Sequence, residues 1–395
     1  MRSQLLIQSL CRGGMELGLY LALSTLLFIP SLPLYIQGLG PVLTLLSWLG
    51  LWLSSRTLPY IHYPWNFAIL LLNLWCWLSV LWSIAPGVSA GYAIVVSGAS
   101  ILFVLLSSTL TSRAFQLRFV SALILFGLYT GLSALWMSDG GFALLFSRDF
   151  FSLEAILFRS SSLERLDASI GGANTVGGVM GLLMPLTLSF AFYGFPLRKS
   201  HRWQRNALHL LVIIFLLLIS LFFYQCLVLS GSRGAFFGLL VAISVLLMLP
   251  RSWIFNLLFL LCLFAFYLIP AVMREAQRFY FRIMDIERYQ LFQNSWELAK
   301  LLPYTGVGLG AFVFAYELYF PSAVRYIHAH NLYLNAWVEL GLPGFILVLA
   351  IAGLFIYHGS RFARSSPNSF AFAFKAGMIA LFISLMARCL LDFTL

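Results

Sequence analysis

The residues best suited to chemistry lie at 328–331, His328-Ala329-His330-Asn331, where a polar, arginine-containing segment gives way to a long apolar run. A neutral imidazole at such a boundary can take a proton from a hydroxyl near neutral pH. His330 stands closer to the helix start than His328 and is the candidate base. Asn331, Asn335 and Glu339 follow at i, i+4 and i+8, so on a helix they form one polar stripe. Polar groups directed into an apolar bundle cost free energy and tend to mark a site. Glu339 falls roughly 12–13 Å below His330 at 1.5 Å per residue, which suits a partner for an Asn or for backbone.

Two arginines are candidate anion ligands. Arg233 sits in Ser230-Gly231-Ser232-Arg233-Gly234-Ala235 between two apolar runs. Small neighbours let backbone approach there, and a following helix start offers free N–H groups to a phosphate. A guanidinium binds phosphate in a fork and stays charged. Arg288 lies in Asp285-Ile286-Glu287-Arg288-Tyr289, where the bland role is a solvated partner for its acidic neighbours. Other chemistries fail on spacing. Gly231-Ser232 lacks the elbow of a serine hydrolase. The two histidines have no carboxylate at zinc-protease spacing, and there is no phosphate-binding loop of the Walker type. No paired acidic motif offers a metal site, so neither metal nor other cofactor is expected.

The elements that must hold these residues are set by composition. The 395 residues are 61% hydrophobic and 9% charged, with mean hydropathy +0.94, which excludes a soluble domain. Runs of about 20 apolar residues predict an all-α, polytopic membrane bundle. Spanning helices are expected near 15–36, 40–54, 66–84, 91–110, 119–137, 172–195, 207–229, 235–249, 252–270, 331–357 and 371–392. Pro30 and Pro33 should kink or shorten the first. The whole chain, 1–395, reads as one membrane domain. The five cysteines, Cys11, Cys76, Cys226, Cys262 and Cys389, have no ligand spacing and read as buried small residues. Arg2 and Arg12 precede the first run without a small-residue cleavage site, so that run is expected to remain as a spanning helix.

Charge distribution then orients the bundle. With the N-terminus cytoplasmic, the inner loops collect Arg56, Arg113, Arg118, Arg198, Lys199, Arg202, Arg205, Arg251, Arg361, Arg364 and Lys375, with Glu16 the only inner acid. The net charge of +11 therefore reports topology and requires no nucleic acid. Two long loops, about 138–171 and 271–330, fall outside. The second carries Arg274, Arg278 and Arg282 on one helical face, suited to lipid head groups. It continues with Ile286, Tyr289, Phe292, Trp296 and Ala299, the apolar face of an expected helix along the membrane boundary. Arg388 and Asp392 leave the end of the last helix open.

Several stretches together resemble the O-antigen ligase/polymerase superfamily. His330-Asn331, nine residues, then Gly341-Leu342-Pro343-Gly344 is similar to its H-N-x9-G-x-x-G pattern. Ser230 to Ala235 resembles its helix junction. Arg288 through Phe292, Pro303, Gly306, Gly308 and Gly310 resembles its R-x-x-x-W…P-x-x-G-x-G-x-G segment, with Phe292 where tryptophan is usual. Gly172-Ala173-Asn174 looks like a further element. The resemblance covers about 165–345. It implies about twelve helices and a metal-independent glycosyltransferase of the cytoplasmic membrane with its site facing outward. Such an enzyme takes a glycan from an undecaprenyl-diphosphate carrier and gives it to a sugar hydroxyl on lipid A–core (ligase) or on another repeat unit (polymerase). Carried over by position, Arg233, Arg288 and His330 would be catalytic; Asn331, Asn174, Arg282 and Tyr304 are added as candidates for binding the diphosphate or glycan, together with Arg233 and Arg288. The expected partners are the lipid-linked donor, a lipid-linked acceptor and membrane lipids. Proteins of the same superfamily proposed to act in inorganic-carbon uptake leave a solute transporter as the second reading, and a non-catalytic scaffold as a third.

Overall fold

The computed structural model describes residues 2–28, 39–56, 63–109, 111–138, 166–167, 172–195, 203–249, 286–321 and 325–391. The predicted helix at 252–270, most of the two long loops, and Arg274, Arg278 and Arg282 lie outside the described residues. Within them the fold is all-α: α1 Arg2–Phe28, α2 Leu39–Ser55, α3 Pro64–Ser79, α4 Pro86–Thr109, α5 Arg113–Met137, α6 Ala173–Ser189, α7 Trp203–Ser230, α8 Arg233–Met248, α9 Ile286–Leu301, α10 Phe312–Tyr319, α11 Leu332–Arg364 and α12 Ser369–Arg388. Six of these elements are long and apolar enough to cross a membrane, and α2 and α8 are shorter apolar helices. The chain is a multi-pass membrane protein. Helices are the form such a chain must take, because lipid offers no partner to an open backbone group.

The first helix begins at Arg2 rather than near residue 15. Gly14 and Gly18 fall inside it because both are used for contact with the next helix. A side-chain carbon at Gly14 or Gly18 would collide with Ser47 or Thr44, and one at Gly40 would lie 2.5 Å from the Ala22 nitrogen. Small residues spaced by four let two helix backbones approach closely. Glu16 in α1 accepts from Arg118 of α5 at 2.5 Å and from Tyr20 at 3.0 Å.

Interhelical bonds fix direction. Ser384 Oγ donates to the Gly181 carbonyl at 2.9 Å, and a side-chain carbon at Gly181 would lie 2.9 Å from the Ala235 oxygen. Thus α6 and α8 run side by side in one direction, and α12 returns between them. Leu332 N–H donates to Cys389 O at 3.0 Å, so α11 starts where α12 ends. At the other end, Arg364 Nε donates to Leu249 O at 3.2 Å, Lys375 Nζ donates to Phe362 O at 3.0 Å, and Arg113 lies 4.6 Å over the Phe370 ring. The predicted inner-loop cations Arg113, Arg364 and Lys375 therefore share one end of the bundle. The starts of α6, α8 and α11 share the opposite end, here termed the rim.

The face on which α9 packs differs from the expected one. Leu291, Ser295 and Leu298 are buried, whereas Tyr289 and Trp296 are nearly half exposed; of the expected face Ala299 is buried as read. Ser295 can be buried because its hydroxyl donates to the Leu291 carbonyl at 2.7 Å. Trp296 instead sets its ring edge-on against Trp337, centroids 5.0 Å apart. Counting bulky apolar residues selected the aromatic side; the tight contact with α10 and α11 took the smaller one.

Candidate functional site

The rim is built from helix ends. The first N–H groups of a helix have no partner within it and carry its positive dipole end. Gly172 precedes α6 and Ser232 precedes α8, and neither makes a side-chain cap bond. Asn331 does cap α11, its Oδ1 accepting Leu334 N–H at 2.9 Å. Three parallel helices thus direct positive ends at one face, an arrangement suited to an anion.

The α7–α8 junction is compact because Gly231 takes a left-handed backbone, φ 62°. Ser230 turns its hydroxyl to the Leu227 carbonyl at 2.6 Å and receives Ser232 N–H at 3.2 Å. Gly177 of α6 lies against this turn so closely that a side-chain carbon there would sit 2.5 Å from Ser232 Cβ. Ser232 is 3% exposed and its hydroxyl has no hydrogen-bond partner among the described residues. The result places Arg233 on the first turn of α8, exposed, at the rim. Asn174 sits on the first turn of the adjoining α6.

The histidine turn is held from both sides. His330 adopts φ 51°, a left-handed backbone uncommon outside glycine. Such a conformation costs of order 1–3 kcal/mol and persists where neighbours enforce it. Asn335 Oδ1 accepts Ala329 N–H at 3.1 Å, and Asn331 Nδ2 donates to Leu390 O at 2.9 Å. The His328 and His330 rings meet at a centroid distance of 4.5 Å, 70° between planes. Both rings are partly exposed.

Arg288 enters from α9. Leu291, one turn along, packs in a cluster with Ala329, Tyr316 and Val338. Trp296 meets Trp337, and Pro303 O accepts Trp337 Nε1–H at 3.2 Å and Leu342 N–H at 2.7 Å. The two helices therefore run parallel, and the Arg288 end of α9 lies toward the start of α11. Tyr304 does not join this level. It is 69% exposed beside the break in α11 at Gly341, and Trp337 already lies seven residues past His330, about 10 Å along the helix. Arg282 is outside the described residues.

The polar stripe of α11 is structural. Asn331 caps the helix and grips α12; Asn335 clamps the histidine turn; Glu339, 7% exposed, accepts Gly310 N–H through Oε2 at 2.9 Å. The glycine-rich turn at 303–311 is equally committed. Gly306 N–H goes to Leu302 O, Val307 N–H to Val338 O, Gly308 N–H to Glu339 O, and Ala311 N–H to Gly308 O. The carbonyls that receive Val307 and Gly308 are released by the break at Gly341, φ 67° and ψ −175°. This turn plugs a broken helix and does not cradle a phosphate.

Arg388 is the residue that sequence patterns passed over. It ends an apolar run, where an arginine ordinarily reaches outward to water. Here it is 2% exposed, and its Nη2 donates to the Asn174 carbonyl at 2.9 Å. The signal available was on another helix: Gly178 has no side chain because the guanidinium fills that space.

Residues 216–349 match the family model described as O-antigen ligase (Wzy_C). The matched stretch includes Arg233, Arg288 and His330 and supports the resemblance to that superfamily. No curated protein matches the chain. The match supports a glycan-processing membrane enzyme of the O-antigen ligase/polymerase type.

Proposed function

We propose that this protein transfers a glycan from an undecaprenyl-diphosphate carrier to a sugar hydroxyl, with lipid A–core as the first choice of acceptor and another repeat unit as the alternative. The observation that carries the reading is the gathering of three helix starts, Arg233, and the His330 turn at one end of an apolar bundle, with the Arg288 end of α9 directed toward it. In the orientation we favour, that end faces away from the cytoplasm, because the basic residues of the short loops gather at the other.

In the proposed step, His330 accepts the acceptor's hydroxyl proton as that oxygen attacks the anomeric carbon. The bond from that carbon to the diphosphate oxygen breaks, and undecaprenyl diphosphate leaves with the electron pair. A single displacement inverts the anomeric centre. Arg233 and Arg288 hold the diphosphate and offset the charge that grows on it, a role strengthened where little water enters. His330 as base would contribute about 10²–10⁴-fold, with positioning and charge stabilisation supplying the rest. The backbone strain at His330 supports this use, since strained residues enforced by their surroundings cluster at active sites.

The test is reconstitution of purified protein with undecaprenyl-diphosphate-linked glycan, lipid A–core and EDTA. Glycosylated lipid A–core in the presence of EDTA is the expected product. Elongated carrier-linked glycan would select the polymerase form. Absence of both products, or a strict need for a divalent metal, would contradict the proposal; uptake of labelled bicarbonate by the same vesicles would favour a transporter.

A further inference from the structure

We propose that Arg388 is a positioning residue for this transfer, acting through the last turn of α12. The inference rests on the function proposed above and adds a residue outside the stretch that matches the family model. A charged side chain facing the interior of a membrane bundle is costly, and those that are present commonly serve a site. Arg388 is such a group. It ends a candidate span, is 2% exposed, and stays cationic because a guanidinium does not give up its proton.

Two glycines make its place. A side-chain carbon on Gly178 of α6 would overlap the guanidinium, and one on Gly238 of α8 would lie 3.2 Å from Arg388 Cβ. From there Nη2 holds the Asn174 carbonyl at 2.9 Å and so fixes the first turn of α6. The other side of the same turn is fixed to α11. Cys389 O accepts Leu332 N–H at 3.0 Å, Leu390 O accepts Asn331 Nδ2–H at 2.9 Å, and Met386 O accepts the Tyr333 hydroxyl at 2.9 Å. Cys389 and Leu390, the two residues just past the end of α12, thus give their carbonyls to the two residues directly after His330. One helical turn thereby ties the start of α6 to the histidine turn. The proposed diphosphate side and the proposed base side are registered through it.

The remainder of α12 is packed independently of Arg388, by Ala373, Ala376, Ile379, Ala380 and Ile383, all buried. Replacing Arg388 therefore loosens the register and leaves the bundle. A displacement of about 1 Å at reacting groups costs on the order of 10²-fold in rate.

The experiment compares Arg388→Gln, Arg388→Lys, Gly178→Ala and the Arg388→Gln/Gly178→Ala pair in the reconstituted assay, with Arg233→Ala and Arg288→Ala as references. Each variant is first checked for a wild-type elution profile and unfolding midpoint. The positioning role predicts that Arg388→Gln lowers kcat about 10–100-fold with KM for the donor within about threefold. Gly178→Ala should act alike, because it ejects the guanidinium without removing it. The double variant should be no worse than Arg388→Gln alone, since both remove one contact. Arg388→Lys should recover part of the rate by reaching the same carbonyl. Wild-type kcat in Arg388→Gln and Gly178→Ala, with Arg233→Ala and Arg288→Ala impaired, overturns the positioning role and leaves the proposed function standing. Wild-type rates in Arg233→Ala and Arg288→Ala overturn the function itself. Failure of Arg388→Gln, Arg388→Lys and Gly178→Ala all to fold makes Arg388 a stability residue and also overturns the proposal.

Discussion

Two glycine-rich junctions sit near helix starts in this protein, and they do opposite things. At 303–311 each glycine lets a loop N–H reach a fixed acceptor, so the turn closes the gap in α11 and offers nothing further. At 230–235 the glycine turns the chain so that α8 starts with its N–H groups and Arg233 toward the rim. The difference teaches that glycine content alone does not make a phosphate cradle. What decides is whether the backbone donors are already spent.

The comparison can be broken at either junction. The largest effect is expected at the rim. Arg233→Ala or Arg288→Ala should lower glycan transfer about 10²–10³-fold while the unfolding midpoint stays near wild type, as for loss of a preorganised charge partner. A collapse of stability instead would assign these arginines to the same structural role as the other junction. The next effect is on folding. Gly341→Ala must hold a side chain at φ 67° where its carbon would collide with the Tyr304 carbonyl, so thermal unfolding should show a loss of about 2 kcal/mol or more. A stable Gly341→Ala variant would refute the plugged-break account.

A smaller loss is expected from Glu339→Leu, which strands the partly buried Gly310 N–H and should cost about 1–3 kcal/mol. Glu339→Gln keeps an acceptor and should retain most of the stability and the transfer rate. If Glu339→Gln abolished transfer in folded protein, the carboxylate would have a chemical role that its contacts do not indicate. The smallest effect belongs to Arg118→Ala. Its partner Glu16 lies far from the rim and the pair is largely exposed on the arginine side, 57%, so neither transfer nor the unfolding midpoint should change measurably.

Much of the scaffold was legible in the sequence because lipid imposes a length and a composition on each crossing. The His330–Asn331 helix start was legible because it interrupts an apolar pattern, whereas the break at Gly341 was not, since the apolar run continues across it and reads as one helix over 331–357. What escaped was decided between helices. The buried stripe Leu291–Ser295–Leu298 of α9 was hidden by its more hydrophobic neighbours Phe292 and Trp296. In the sequence Arg388 marked only an open helix end, because its burial depends on Gly178 and Gly238, which lie more than 100 residues earlier in the chain. Asn331 read as a substrate ligand, yet both ends of its amide are already engaged, one by Leu334 and one by Leu390. No one-dimensional pattern reports such a commitment.

The central claim, that the rim binds the donor through its cations and activates the acceptor through His330, is tested most directly by measuring donor binding and single-turnover transfer in His330→Ala. The account predicts binding of undecaprenyl-diphosphate-linked glycan close to wild type with transfer slowed about 10²–10⁴-fold. Transfer near the wild-type rate, or equal loss of binding and transfer in folded protein, would contradict it.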